Sequence, residues 1–89
     1  MDKLELKDTI DLMNSKDYKD RFKAEYLQTQ IRYNKLETML IKLEAGTLGF
    51  TPDCSIETLW DQKYHMAEYL RVLRIRAEIE CIDLSFVIA

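Results

Sequence analysis

Two runs of side chains, each spaced by alternating steps of four and three, are divided by a single segment that holds both glycines and the only proline. The first run is Phe22, Tyr26, Thr29, Tyr33, Leu36, Leu40 and Leu43. The second is Leu59, Lys63, Met66, Leu70, Leu73 and Ala77. Such steps keep side chains on one face of an α-helix. The dividing segment, Ala45 to Cys54, is rich in helix breakers and too short to form an element of its own. The chain is therefore expected to be all-α: an antiparallel two-helix hairpin with a short N-terminal helix or arm.

The 89 residues suffice for one domain. Within it the spacing predicts an N-terminal arm over 1–15, a helix over 16–45, a loop over 46–54, a helix over 55–80 and an apolar tail over 81–89. Asn14 and Ser15 offer cap side chains ahead of the first long helix, and Asp17 and Asp20 suit the positive end of its dipole. Gly46 is a natural C-cap. Ser55 is placed to cap the second helix, with Glu57 in its first turn. Arg74–Glu78 and Arg76–Glu80 have ion-pair spacing on that helix.

A two-helix hairpin buries one stripe per helix, and both arms carry more apolar side chains than that. Leu27, Ile31 and Met39 lie off the first seam; Ile56, Trp60, Val72, Ile75, Ile79 and Ile82 lie off the second. Exposed apolar patches beyond a few hundred Å² usually mark an interface, so a homo-oligomer is expected. Leu4, Leu6, Ile10, Leu12 and Met13 add an apolar N-terminal segment. The tail from Ile82 to Ala89 is too apolar for a solvated end.

Net charge is −3, and no basic block argues for coating DNA or RNA. The charge is uneven, with seven basic and five acidic groups over 14–45 against four and seven over 46–89. A local basic pocket fits inside an acidic whole. No apolar run is long enough to span a bilayer and no signal-peptide pattern opens the chain, so a soluble, cytoplasmic protein without a membrane partner is expected. Cys54 and Cys81 sit at opposite ends of the second helix, about 40 Å apart at ~1.5 Å per residue. A disulfide spans far less, so two free thiols are expected, as in a reducing compartment.

Catalytic signatures are missing from the residue pattern. There is no glycine-rich phosphate loop, no Ser/His/Asp set and no CxxC, so neither an enzyme nor a cofactor is expected. Asp61, His65 and Glu68 share a helix face, but a lone histidine with nearby carboxylates is usually a solvated polar face, and no metal is expected. Aromatics and basic groups are more telling. Tyr18, Phe22, Tyr26 and Tyr33 lie on the first arm with Arg21, Arg32 and Lys35. Tyr64 and Tyr69 lie on the second, followed by Arg71, Arg74 and Arg76. Rings stack on nucleobases and guanidinium groups fork onto phosphates. The same residues also serve ordinary packing and surface ion pairs.

Residue order adds to this reading. The first arm has Tyr18-Lys19-Asp20-Arg21-Phe22, then Glu25, Leu36 and Met39-Leu40. The second has Leu59-Trp60, then Gln62, Met66, Tyr69, Val72-Leu73 and Arg76. Together they resemble the helical hairpin of phage sponge proteins of the anti-CBASS and anti-Thoeris types. In those hairpins a Tyr-x-x-Arg-apolar opening precedes an LL-x-x-Q-x-x-x-M-x-x-Y-x-x-[IV]-L-x-x-R second half. The resemblance covers Tyr18 to Arg76. It implies a compact, non-catalytic helical oligomer, commonly a hexamer, that holds a nucleotide immune signal inside the infected bacterial cell. The expected ligand class is a cyclic dinucleotide or trinucleotide, with a cyclic ADP-ribose-like signal second. By position, Tyr18 is the base-stacking candidate, Arg32 and Lys35 are candidate phosphate groups, and Arg76 belongs to a second site. Tyr18 and Arg32 are about 21 Å apart along one helix, so one pocket would draw them from two protomers. A different reading is an adaptor that binds a host protein through an exposed helical face.

Overall fold

The computed structural model describes residues 4–85, and among them every regular element is helical. One turn of 3-10 helix, Leu6–Thr9, runs directly into α1 (Ile10–Met13). Two long helices follow, α2 (Tyr18–Ala45) and α3 (Ile56–Glu80). Tyr18 bonds Glu80, Tyr26 bonds Arg74 and Glu37 pairs with Lys63. Partner numbers fall on α3 as they rise on α2, so the arms are antiparallel.

Local chemistry sets the helix ends. Asp17, rather than Asn14 or Ser15, is the N-cap of α2, its carboxylate accepting from the Lys19 N–H at 2.9 Å. Ser15 supports the cap one step back. Its Oγ accepts from the Asp17 N–H (3.1 Å) and donates to Asp20 Oδ2 (2.8 Å). Ser55 caps α3, accepting from the Thr58 N–H at 3.2 Å. Both long helices finish alike. A left-handed residue, Gly46 (φ 77°) or Cys81 (φ 56°), is followed by an N–H that bonds the carbonyl five residues back. Gly46 takes this conformation freely, whereas Cys81 does so against the crowding of its Cβ.

The core gathers at the end of the hairpin away from the loop. Phe22 and Tyr26 of α2 pack there with Leu70, Leu73 and Ala77 of α3 and with Ile82 and Leu84 beyond it. The turn at Cys81 directs those last two inward. The apolar tail is thus partly accounted for within one chain; Phe86 to Ala89 lie outside the described residues, as do residues 1–3. Toward the loop the seam is looser. Leu36, Leu43, Leu59 and Met66 are only half-buried, although Leu40 is fully buried.

A second packing surface lies on α2, off the seam. Ala24, Leu27 and Ile31 are all buried and share one helix face with Gln28. Gln28 Nε2 donates to Thr9 Oγ1 at 2.9 Å and approaches Met13 Sδ at 3.4 Å, so the N-terminal helix covers this face. Thr9 is wholly buried and its hydroxyl donates to the Leu6 carbonyl. Leu27 and Ile31, which the sequence leaves for a neighbouring subunit, are therefore satisfied inside the chain. The other off-seam set is not covered. Ile56, Trp60, Val72, Ile75 and Ile79 remain exposed on α3.

Candidate functional site

Arg76 of α3 leaves the seam on one side and meets the first turn of α2. Its Nη2 donates to Tyr18 Oη at 2.5 Å, and its Nε donates to Glu80 Oε2 at 3.2 Å. Tyr18 Oη in turn donates to Glu80 Oε1 at 2.9 Å. The guanidinium lies 5.0 Å from the centre of the Phe22 ring, and Tyr18 meets that ring edge-on at 6.3 Å. A phenol, a guanidinium and a carboxylate thus close a small loop over an aromatic floor. Two turns further along, Tyr69 donates to a Glu25 carboxylate oxygen.

The electrostatics follow from these contacts. The Glu80 carboxylate holds the Tyr18 hydroxyl proton in place, and pushes its pKa above the usual phenol range. Arg76 is stabilised further in its charged form, chiefly by the same carboxylate. Tyr18 remains 45 % exposed, so its ring is available to a ligand even with the hydroxyl engaged.

Arg74 leaves the seam on the other side. Its Nε donates to Tyr26 Oη (2.8 Å) and its Nη2 to Gln30 Oε1 (3.2 Å), with the guanidinium 5.7 Å from the Tyr26 ring. The expected Arg74–Glu78 pair is thus replaced by neutral partners across the hairpin, the Tyr26 hydroxyl, which itself donates to Gln30 Oε1 at 3.3 Å, and Gln30. Arg74, Glu78 and Asp83 border a recess of about 340 Å³ at the foot of α3. Two carboxylates at that rim suit a phosphate poorly.

The sequence candidates therefore separate. Tyr18 and Arg76 come together in one chain. Arg32 and Lys35 are exposed along the middle of α2, without an ion pair among the described residues. Arg32 lies close to the helix face of Tyr18 and Glu25; Lys35 is turned about a quarter-circle away, by helical spacing. Sequence reasoning did not place Phe22 and Glu80 at this cluster. The Arg76–Glu80 spacing was a visible signal, but only the hairpin brings Tyr18 to it. Cys54 and Cys81 are free and exposed. His65 is exposed beside the Tyr64 ring, and no group of three or more metal-ligating side chains gathers among the described residues. No helix among them is long and apolar enough to cross a membrane.

Comparison with known families settles the lineage of this hairpin. The family model described as Sequestin matches residues 16–79, from just ahead of α2 into the last turn of α3. The chain belongs to the Sequestin family. The match spans both long helices and so agrees with the sponge-type resemblance of the sequence. The family's name denotes sequestration, a binding role rather than a catalytic one. No curated protein and no solved structure gives a significant match.

Proposed function

We propose that this protein binds and sequesters a nucleotide second messenger without cleaving it, acting as a phage anti-defence sponge in the cytoplasm of the infected cell. The observation that carries the reading is the juxtaposition of Tyr18 and Arg76 over Phe22, inside a hairpin that belongs to a sequestering family. A ring and a guanidinium at contact distance offer stacking for a base and a fork for a phosphate. Cyclic dinucleotides or trinucleotides are the leading ligand class, and a cyclic ADP-ribose-like signal is the second. A homo-oligomer, in the form of a hexamer, would complete the pocket by bringing Arg32 and Lys35 of one protomer toward Tyr18 and Arg76 of another. The apolar stripe left on α3 supports such assembly.

Calorimetric titration of the full chain with cyclic di-GMP, cyclic tri-AMP and cyclic ADP-ribose tests this. Saturable binding of one of them, with intact ligand recovered on denaturation, is the expected result. Failure of all three would favour the adaptor reading, in which the exposed apolar face of Val72, Ile75 and Ile79 docks on a host protein.

A further inference from the structure

Glu80 stands where helix electrostatics argue against it. It is the last residue of α3, Glu78 accompanies it in the final turn, and no basic residue lies in that turn. A carboxylate at the negative end of a helix is unfavourable. Its compensation is specific. The two Glu80 oxygens take the Arg76 Nε–H and the Tyr18 O–H, one each, and Arg76 Nη2 closes the loop on Tyr18. These are the donors that a phosphate would use.

We infer that Glu80 is a built-in competitor for the ligand's phosphate, occupying the donors of Arg76 and Tyr18 until a ligand displaces it. This rests on the sponge reading above and adds a specificity element to the same site. A carboxylate and a phosphate cannot share one guanidinium edge without like-charge repulsion. Entry of an anion therefore requires the Glu80 side chain to rotate away into solvent. A weakly held monoanion gains too little to drive that exchange. A ligand that also stacks a base on Tyr18 and reaches basic groups elsewhere gains enough. The carboxylate thereby keeps simple phosphates and mononucleotides, which are abundant in any cell, too weakly bound to fill the site.

The test is a comparison of wild type, Glu80→Gln and Glu80→Ala by calorimetry at fixed salt. The probes are cyclic di-GMP, cyclic tri-AMP, cyclic ADP-ribose, AMP and inorganic phosphate. Glu37→Gln, which removes a carboxylate paired to Lys63 at the other end of the hairpin, is the control. Removing the competitor should tighten binding of the cyclic probe by about fivefold or more, equivalent to roughly 1 kcal/mol. AMP and phosphate should gain by a similar factor, so that they occupy the site at concentrations where wild type stays empty. Glu37→Gln should bind like wild type, and circular dichroism should show unchanged helix content in all three variants. If wild type binds a cyclic probe and neither Glu80 variant binds it more tightly, the competitor role is wrong and the sponge reading stands. If both Glu80 variants bind more weakly, Glu80 positions Arg76 instead, and the inference is overturned. If no protein binds any probe, the sponge reading fails and the competitor role goes with it.

Discussion

At the scale of single residues, Tyr18 has two separable parts. Its hydroxyl is committed to Glu80 and Arg76, while its half-exposed ring is the group proposed to stack. Tyr18→Phe, which keeps the ring and removes one phosphate donor, should therefore weaken binding less than Tyr18→Ala. Tyr18→Ala, Arg76→Ala and Arg32→Ala should each weaken binding by about tenfold or more, equivalent to ~1.4 kcal/mol, with unchanged helix content. Calorimetry on the four variants separates ring from hydroxyl. The hydroxyl has its own signature. Its pKa is raised because Glu80 accepts its proton. A raised folded-state value means the associated stabilisation is fully present below the ordinary phenol pKa of about 10 and is lost as pH rises through the folded value. Ultraviolet titration should show a late-ionising tyrosine component that is lost in Tyr18→Phe and moves to lower pH in Glu80→Gln.

At the scale of elements, the two helix ends make a matched pair. Gly46 and Cys81 both hold left-handed backbone, but only glycine does so without a Cβ cost of about 1 kcal/mol. Gly46→Ala should destabilise by about 1 kcal/mol, even though its added Cβ would meet nothing within 4 Å. Cys81→Gly should stabilise by about 0.5 kcal/mol, the gain being reduced by the greater freedom of glycine in the unfolded chain. Urea denaturation of the two variants should give opposite signs. The N-terminal ends offer a parallel contrast. Asp17 and Ser55 each accept a helix N–H, so Asp17→Ala or Ser55→Ala should cost about 1 kcal/mol.

At the scale of the whole molecule, the hairpin has three differently treated surfaces. The seam is closed by the opposite arm. The Leu27–Ile31 face of α2 is closed by the N-terminal helix. The outer face of α3 is open toward its C-terminal half, with Ile79 74 % exposed and Val72 and Ile75 each nearly half exposed. Burying such a stripe against another copy removes apolar surface worth roughly 25 cal/mol per Å² from water. Light scattering over a dilution series should give a mass several times that of one chain. The double variant Ile75→Glu/Ile79→Glu should shift it toward the monomer while keeping helix content, since neither side chain belongs to the buried core. A wild-type monomer at micromolar concentration would remove the basis for a pocket shared between chains.

The sequence alone determined the two long helices, their breaker-rich junction and the caps at Gly46 and Ser55. These depend on side-chain spacing and on residues adjacent in the chain, and such information is local. The motif order from Tyr18 to Arg76 was equally legible, and the family match over 16–79 covers that same stretch. Tertiary structure alone decided which apolar residues off the seam would find cover. Leu27 and Ile31 gained it from a segment that the sequence marked as a short helix or arm, and Ile82 from the turn at Cys81. It also decided that Arg74 would abandon Glu78 for the Tyr26 hydroxyl, and that Tyr18, Arg76 and Glu80 would converge. Those outcomes join groups as many as 62 residues apart. Helical periodicity fixes where a side chain points around its own axis, but not what another segment places opposite it.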